Sequence, residues 1–485
     1  MVDSFDDLAT RALGSARWYA GKGRPLRIIA VTALPWYGEG PGRPGADEGT
    51  GLVGVRPVLV TVGHDDVRPA DVDTYQFLLA VRHPGRAPAP GSYGTCADRR
   101  VTDSREPLEV ADATQDPEAM AMVLAAISTA EKPDPTPGGT IRHHSLVELP
   151  HTDLSPHPFR GEQSNTSVFF GDALMLKVFR RLEAGHNLDI AVHAALGKDN
   201  ASSTAVLYGW TEGHWRHGTD ETTADLAMLV ERFREAEDGW DLACAACTAG
   251  EDFATEAAAL GRALREVHEG LARHFPTARV DAGPIGARMG ERLDQTCGIA
   301  PQLLPYGTGL GAIFAALDEH VLDVQHVHGD FHLGQVLRTP DGWRVIDFEG
   351  EPLKTLTERW APDSPWRDVA GMLRSFDYAA ATGAQLRTRA AAAAGDPGSA
   401  GPGLTPRQWR QNCRDSFLEA YHQGTPTGFD LAVLRAYEAD KAVYEVVYEI
   451  RNRPDWVSIP LGAVAELVSP SPITNDGQSP IHEEK

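Results

Sequence analysis

His326-Val-His-Gly-Asp330-Phe-His-Leu-Gly-Gln335, followed by Val345-Ile-Asp347-Phe-Glu349-Gly-Glu-Pro352, sets two carboxylates and an amide at the spacings that phosphoryl transfer uses. Moving a phosphoryl group asks little covalent help of a protein. It asks for a divalent cation that neutralises charge between donor and acceptor, and for a carboxylate that orients the attacking hydroxyl. Asp330 is placed to take the hydroxyl proton. Gln335, five residues on, and Asp347 are placed to hold magnesium through hard oxygen atoms. Trp343-Arg-Val-Ile-Asp-Phe348 alternates and is rich in β-branched and aromatic residues, so it reads as a strand that delivers Asp347 at its end. Thr339-Pro-Asp-Gly342 turns it back on Gln335-Val-Leu-Arg338 as a hairpin. His-Gly-Asp by itself is common loop chemistry, but the two downstream ligands and the hairpin between them favour catalysis. Glu349 is a candidate for a second magnesium, with a bond to neighbouring backbone as its alternative.

Upstream, Gly161-Glu-Gln-Ser-Asn-Thr-Ser-Val-Phe-Phe170, the turn Gly171-Asp172, and Ala173-Leu-Met-Leu-Lys177-Val-Phe179 form a second hairpin. Its second strand is apolar except for a lysine. Protonated lysine loses solvation on burial, and in lobes of the protein-kinase type nucleotide phosphates and a helix carboxylate offset that cost. Ser164, Asn165, Thr166 and Ser167 are expected to cover the phosphates with backbone amides and hydroxyls. The plainer alternative for Lys177 is an edge-strand lysine reaching water. Leu226-Ala-Met-Leu-Val-Glu231-Arg-Phe233 is an apolar strand running into charge, and Glu231 to Phe233 is the segment expected to meet an adenine edge. Its position between Lys177 and Asp330 is what supports that assignment.

These stretches resemble the maltokinases of actinobacteria, members of the superfamily of aminoglycoside-phosphotransferase-like kinases. The resemblance also runs through Arg17-Trp-Tyr-Ala-Gly21, Ser364-Pro-Trp-Arg-Asp368 with its continuation to Tyr378, and Lys441-Ala-Val-Tyr444 with its continuation to Trp456, so it spans nearly the whole chain. The last two stretches are the more specific. The resemblance implies ATP and magnesium as cofactors and maltose as acceptor. Phosphorylation at its anomeric hydroxyl gives maltose 1-phosphate for α-glucan and glycogen synthesis, and trehalose synthase is the implied partner. It further implies that Asp368 braces the backbone of the catalytic loop, with capping of its own helix as the alternative. One departure stands out. Where similar enzymes carry a glutamate in the helix after the lysine strand, this chain reads Asn187-Leu-Asp-Ile-Ala191-Val192, leaving Asp189 as the acidic neighbour available to Lys177.

From Phe429 to Arg453 no glycine or proline interrupts, and Tyr437, Lys441, Tyr444, Tyr448 and Arg451 recur at helical intervals of three and four. Aromatic rings with cations and hydroxyls between them stack on sugars and bind their hydroxyls. A tyrosine stripe that only packs is the alternative. With the resemblance, His332, Lys441, Tyr444, Tyr448 and Arg451 are the expected sugar-binding residues.

Two apparent signals fail in context. Gly307-Thr-Gly-Leu-Gly-Ala312 has no strand before it and reads as a loop ahead of a helix, and Cys244-Ala-Ala-Cys247 lacks a second pair and reads as small core residues. Forty-five basic against 68 acidic residues give a net charge of −23, which argues against nucleic-acid or anionic-membrane partners. Five cysteines in 485 residues point to a reducing cytoplasm, and the acidic N-terminus shows no secretory signal.

The expected fold is α+β: a bilobal protein-kinase-like fold with a β-rich nucleotide lobe, a mostly helical C-lobe and an extra N-terminal β-rich cap. The expected divisions are a cap at 1–95, a nucleotide-binding lobe at 96–231 and a C-lobe at 232–485 that carries the catalytic and sugar sites. A mobile Ala/Gly/Pro loop is expected from Ala390 to Pro406, and a polar tail after Pro470. Two other functions remain open: a kinase of the same superfamily acting on glucosamine or an aminoglycoside, and a non-catalytic pseudokinase partner of trehalose synthase.

Overall fold

The computed structural model describes residues 3–37, 51–64, 72–85, 87–130, 132, 135–159, 165–217, 220–318, 320–351, 354–393, 403–423 and 427–469. Ser164 and the tail after Pro470 lie outside the described residues. The chain forms two compact units, Met1–Ala236 with Ile346–Arg359, and Glu237–Val345 with Trp360–Lys485.

The first unit contains two antiparallel sheets. One joins β1 (Leu26–Ala33), β2 (Leu52–His64), β3 (Asp73–Arg82), β4 (Ser92–Cys96) and β5 (Leu108–Asp112) in the order β1-β2-β3-β5-β4. The other joins β6 (Gly139–Ser145), β7 (Pro156–Pro158), β8 (Thr166–Phe170), β9 (Leu174–Val178), β11 (Leu207–His217) and β12 (Asp220–Glu231) in the order β6-β11-β12-β9-β8-β7. Between β9 and β11 in sequence, β10 (Arg181–Leu182) pairs with β3 and so belongs to the first sheet.

Burial explains the apolar runs. Val58, Val60, Val62, Phe77 and Leu79 pack with Phe5, Leu8 and Leu13 of α1 (Phe5–Ser15), a helix capped by Ser4. Their sequence neighbours Leu59, Leu78 and Ala80 belong to a second core with Met120, Val123 and Ile127 of α2 (Pro117–Ser128) and with β8, β9 and β12. Strands buried on both faces read as continuous apolar runs, because each of the two alternating faces needs its own hydrophobic set. Gln76 is one of the buried polar residues in these strands, with Arg56 and Thr61. Its buried amide donates to the carbonyls of Phe179 (2.8 Å) and Leu226 (2.9 Å), tying the first sheet to the second.

In the second unit, helices dominate: α4 (Gly239–Ala249), α5 (Ala254–His274), α6 (Gly283–Ile299), α7 (Gly307–Ala315), α8 (Trp366–Ala393), α9 (Pro406–His422), α10 (Gly428–Asn452) and α11 (Ser458–Val468), after α3 (Leu188–Gly197) of the first unit. β14 (Ala278–Asp281) and β15 (Val321–Val324) make a separate ribbon. β16 (Val336–Thr339) pairs with β17 (Gly342–Val345) through the two-residue turn Pro340-Asp341, and β13 (Glu237–Asp238) adds to β16. The expected hairpin is formed, but its second strand ends at Val345, two residues short of Asp347, and Gln335 lies in a short turn of helix (Leu333–Gln335) before the first strand.

Two local expectations are corrected. The Gly307–Ala312 stretch is not a loop ahead of a helix but the start of α7; a Cβ on Gly309 would lie 2.8 Å from Val468, so glycine allows close packing. The stretch expected as a loop from Ala390 is helical to Ala393, in keeping with alanine's propensity, and α9 begins at Pro406 behind a Thr405/Gln408 capping box. Residues 394–402 lie outside the described set. Cys244 and Cys247 are buried on α4, and burial pushes their thiols up to about 12 and about 11, which suits core residues rather than metal ligands.

Replacing Gln76 with leucine, similar in size but unable to donate, should cost about 1–3 kcal/mol by leaving buried carbonyls unpaired. Urea denaturation followed by circular dichroism would read this as a lowered midpoint.

Candidate active site

In the first unit, β9 lies between β12 and β8, so Lys177 is not on an edge strand; it sits opposite Ser167 and Met228. Its Nζ is 2.9 Å from Asp189 Oδ2, 3.2 Å from Asp347 Oδ1 and 2.5 Å from Glu349 Oε1. The vacancy implied by Ala191 is filled two residues earlier, by Asp189. Asp189 lies in the first turn of α3, where the Asn187 side chain caps the helix by accepting from the amides of Asp189 and Ile190. The second oxygen of Asp189 accepts from Phe348 N at 3.1 Å and lies 3.1 Å from His193 Nδ1. One carboxylate thus joins strand, helix and the Asp347–Glu349 segment. Asp347 itself has φ +66°, a left-handed conformation that aspartate tolerates better than most residues.

Burial disfavours the Lys177 ammonium, but Asp189, Glu349 and Asp347 more than compensate and hold its pKa well above the usual lysine range. Burial would likewise raise Asp189, yet Lys177 and His193 pull it well below the usual carboxylate range. Glu349 goes the other way: burial raises it, Lys177 opposes, and the repulsion of Asp347 and Asp189 adds to burial. Three carboxylates on one ammonium leave an excess of negative charge. Ligand oxygens of Asp189, Asp347 and Glu349 lie within 4.8 Å of one another, a donor set that fits a hard divalent cation such as magnesium.

The remaining nucleotide candidates are placed as follows. Asn165 donates from Nδ2 to Glu349 Oε1 (3.1 Å) and accepts from Arg180 N, the Thr166 hydroxyl accepts from Arg180 Nε (2.7 Å), and Ser167 is buried in β8. Glu231 ends β12, with its N–H donating to Val206 O and its carboxylate accepting from Val206 N. Phe233 packs against the second core.

In the second unit the loop around Asp330 is fixed by Asp368. Asp368 is fully buried on α8 and accepts from His328 N (2.7 Å) and Gly329 N (2.9 Å), so its carboxylate serves the loop some 40 residues away rather than its own helix. Gly329 has φ +85°, and a Cβ on Gly371 of α8 would lie 2.5 Å from Phe331 O, so both glycines are needed for the approach. His268 Nε2 lies 2.9 Å from Asp368 Oδ2, and its Nδ1 lies 2.8 Å from the Tyr421 hydroxyl. Burial would raise Asp368, but His268, His328 and the Gly329 amide outweigh it and hold its pKa below the usual range. Nothing in the motif marks His268 or Tyr421. The one signal for His268 is its place on the apolar face of α5, between Val267 and Leu271.

Asp330 Oδ1 is 3.6 Å from Lys441 Nζ, and Oδ2 is 3.9 Å from His332 Nε2. His332 also accepts from Gly334 N through Nδ1, and Gln335 N donates to His332 O. On α10, Tyr444 and Tyr448 stack with centroids 6.5 Å apart, and Tyr448 and Arg451 are exposed. Tyr437 departs from the expected stripe: it is buried, and its hydroxyl donates to Asp363 at 2.6 Å.

A β-rich unit with a central buried lysine and a helical unit with a braced acidic loop define a phosphotransferase of bilobal, kinase-like α+β fold. The chain belongs to the phosphotransferase enzyme family, whose profile matches residues 156–437, and it acts on an alcohol group as acceptor. It is similar to glucosamine kinase from Streptacidiphilus jiangxiensis, 28% identical over 332 residues covering 63% of this chain and 72% of the relative. Glucosamine kinase from Mycolicibacterium smegmatis is 28% identical over 359 residues, 68% of this chain and 84% of the relative. A solved glucosamine kinase in complex with glucosamine, ADP and inorganic phosphate shares the fold, with a TM-score of 0.60 at 21% identity over 97% of this chain and 100% of that one. Among the described residues no helix is long and apolar enough to cross a membrane.

Asp368→Asn should lower kcat by on the order of 10²-fold through misplacement of the loop while sparing ATP binding. It should also change acid stability. Because its folded pKa is lowered, Asp368 contributes stability that is full above the unfolded carboxylate pKa of about 4 and is lost as pH falls through the folded value. Melting curves between neutral and acid pH should show a shallower acid decline in the variant. For Glu349→Gln, relief of repulsion should raise the melting temperature without nucleotide or metal by about 2 °C, and a smaller rise on adding magnesium than in wild type is expected.

Proposed function

We propose that the protein is an ATP- and magnesium-dependent sugar kinase. The observation that carries this reading is the burial of Lys177 among Asp189, Asp347 and Glu349, which is net negative by itself and balanced by a metal-bound nucleotide. Magnesium held by Asp347 and Glu349 would supply neutralisation of phosphate charge, and Gln335 is the further ligand that the sequence spacing offers. Lys177 would contact the phosphates, the Asn165–Ser167 segment and Ser164 would cover them, and the Glu231–Phe233 backbone would meet the base. Asp330 would orient the acceptor hydroxyl and take its proton, and Asp368 would keep Asp330 in position. His332, Lys441, Tyr444, Tyr448 and Arg451 would hold the sugar.

For the acceptor, two readings have separate support. Glucosamine is favoured by both named relatives, which share 28% identity with most of their length aligned. Maltose, phosphorylated at its anomeric hydroxyl for α-glucan synthesis with trehalose synthase as partner, is favoured by the long motifs from Ser364 and Lys441. The stacked Tyr444–Tyr448 pair and the lysine beside Asp330 suit a neutral sugar, and we therefore take maltose as the acceptor.

A coupled ADP-release assay over maltose, glucose, glucosamine and an aminoglycoside tests the reading, with maltose expected to give the highest kcat/KM. A protein that ignores maltose and phosphorylates glucosamine is a glucosamine kinase instead. In the same assay Asp330→Asn should lose about 10²–10⁴-fold in kcat while retaining ATP binding; near-normal turnover would remove Asp330 from its role.

A further inference from the structure

We propose that Lys441 is a charge filter that selects neutral acceptors against protonated amino sugars. The inference rests on the sugar-kinase reading and names the acceptor class for that same site. The Lys441 ammonium lies 3.6 Å from Asp330 Oδ1, the oxygen atom pair to which an acceptor hydroxyl must be presented. Both side chains are about a third exposed, so an incoming ligand meets them together. An ammonium on the acceptor would have to approach this fixed positive charge. Discrimination through a repulsive element is a common route to specificity, because the disfavoured ligand suffers an unpaired like charge that the favoured one does not.

An amine would be tolerated if the same helix offered it a spare carboxylate. Each acidic side chain of α10 instead already has a partner in the protein, and Glu445 also lies within electrostatic reach of Lys441. Glu445, one turn beyond Lys441, accepts from Arg374 Nε (3.0 Å) and from a terminal nitrogen of the same guanidinium (2.7 Å). Glu438 is 2.7 Å from Arg414, and Asp440 is 2.5 Å from Arg292. Glu449 accepts from the Tyr378 hydroxyl and from Arg453, while Asp430 caps the helix at Thr427. The arginines Arg374 and Arg414 come from α8 and α9, so packing of the unit neutralises the α10 carboxylates. Gly371 makes room for the loop that carries Asp330: a Cβ there would lie 2.5 Å from Phe331 O, with Lys441 Nζ at an ordinary contact distance of 3.9 Å.

The test compares kcat/KM for maltose, glucose and glucosamine in wild type, Lys441→Gln and Lys441→Arg, with folding checked by circular dichroism. Removing the charge should raise the ratio of glucosamine to neutral-sugar kcat/KM by about tenfold or more, the scale of one close unit-charge repulsion in a partly solvated site. Arginine, which keeps the charge, should preserve the wild-type ratio. An unchanged ratio in Lys441→Gln, or a wild type that prefers glucosamine to glucose, overturns the filter while leaving the kinase reading intact. Absence of sugar-dependent ADP release in a wild type that binds ATP overturns the kinase reading itself, and the filter with it.

Discussion

A protonated lysine in the middle of an apolar strand must have its charge answered within the protein, and in this molecule much of the first unit is arranged to answer it. The carboxylates that meet Lys177 lie 12 residues away at Asp189 and 170 residues away at Asp347, with Glu349 beside the latter. Helix α3 must therefore start soon after β9, and the chain must return after β17 to place Ile346–Arg359 in the first unit. The left-handed backbone at Asp347 is a local cost of that return. Removing Lys177 would leave Asp189, Asp347 and Glu349 crowded together without a cation, so the acids depend on the lysine more than it depends on any one of them.

The second unit applies the same physics with a carboxylate in place of the ammonium. Asp368 is buried, yet two backbone amides and His268 satisfy it, so its charge becomes a rigid attachment for the loop. The loop can approach α8 because residue 371 has no side chain. Asp330 itself is left partly exposed, where a ligand could reach it. The bracing charge is enclosed and satisfied; Asp330 is presented to solvent.

The strongly acidic chain makes local charge placement decisive. With a net charge of −23, an anionic nucleotide would meet an unfavourable overall field, so under the proposed function attraction would have to come from Lys177 and a bound cation at short range. Around α10 the opposite problem is solved by arginines, which pair Glu438, Asp440, Glu445 and Glu449. The familial link to glucosamine kinases makes this pairing informative, since it bears on whether an amine could be received near Asp330.

Much that is local could be read directly from the chain. The spacing of Asp330, Gln335 and Asp347, the Pro340-Asp341 turn, the β8–β9 hairpin and the long helix before Pro454 all follow from backbone periodicity and turn chemistry, which act over a few residues. The buried phase of α10 was less legible: Tyr437 shares the helical interval of Lys441 and Tyr444, but Asp363 and the packing around it draw Tyr437 inward. His268 and Tyr421 carry no motif at all, because their role exists only when α5, α8 and α9 meet. The amino-acid sequence by itself determined the kinase-like class and singled out the candidate residues for its chemistry, since those readings depend on residue type at short spacing. Only tertiary structure decided that Asp189 partners Lys177, that Asp368 reaches the loop amides and that the acids of α10 are paired with arginines, because each depends on where segments far apart in the chain are packed together.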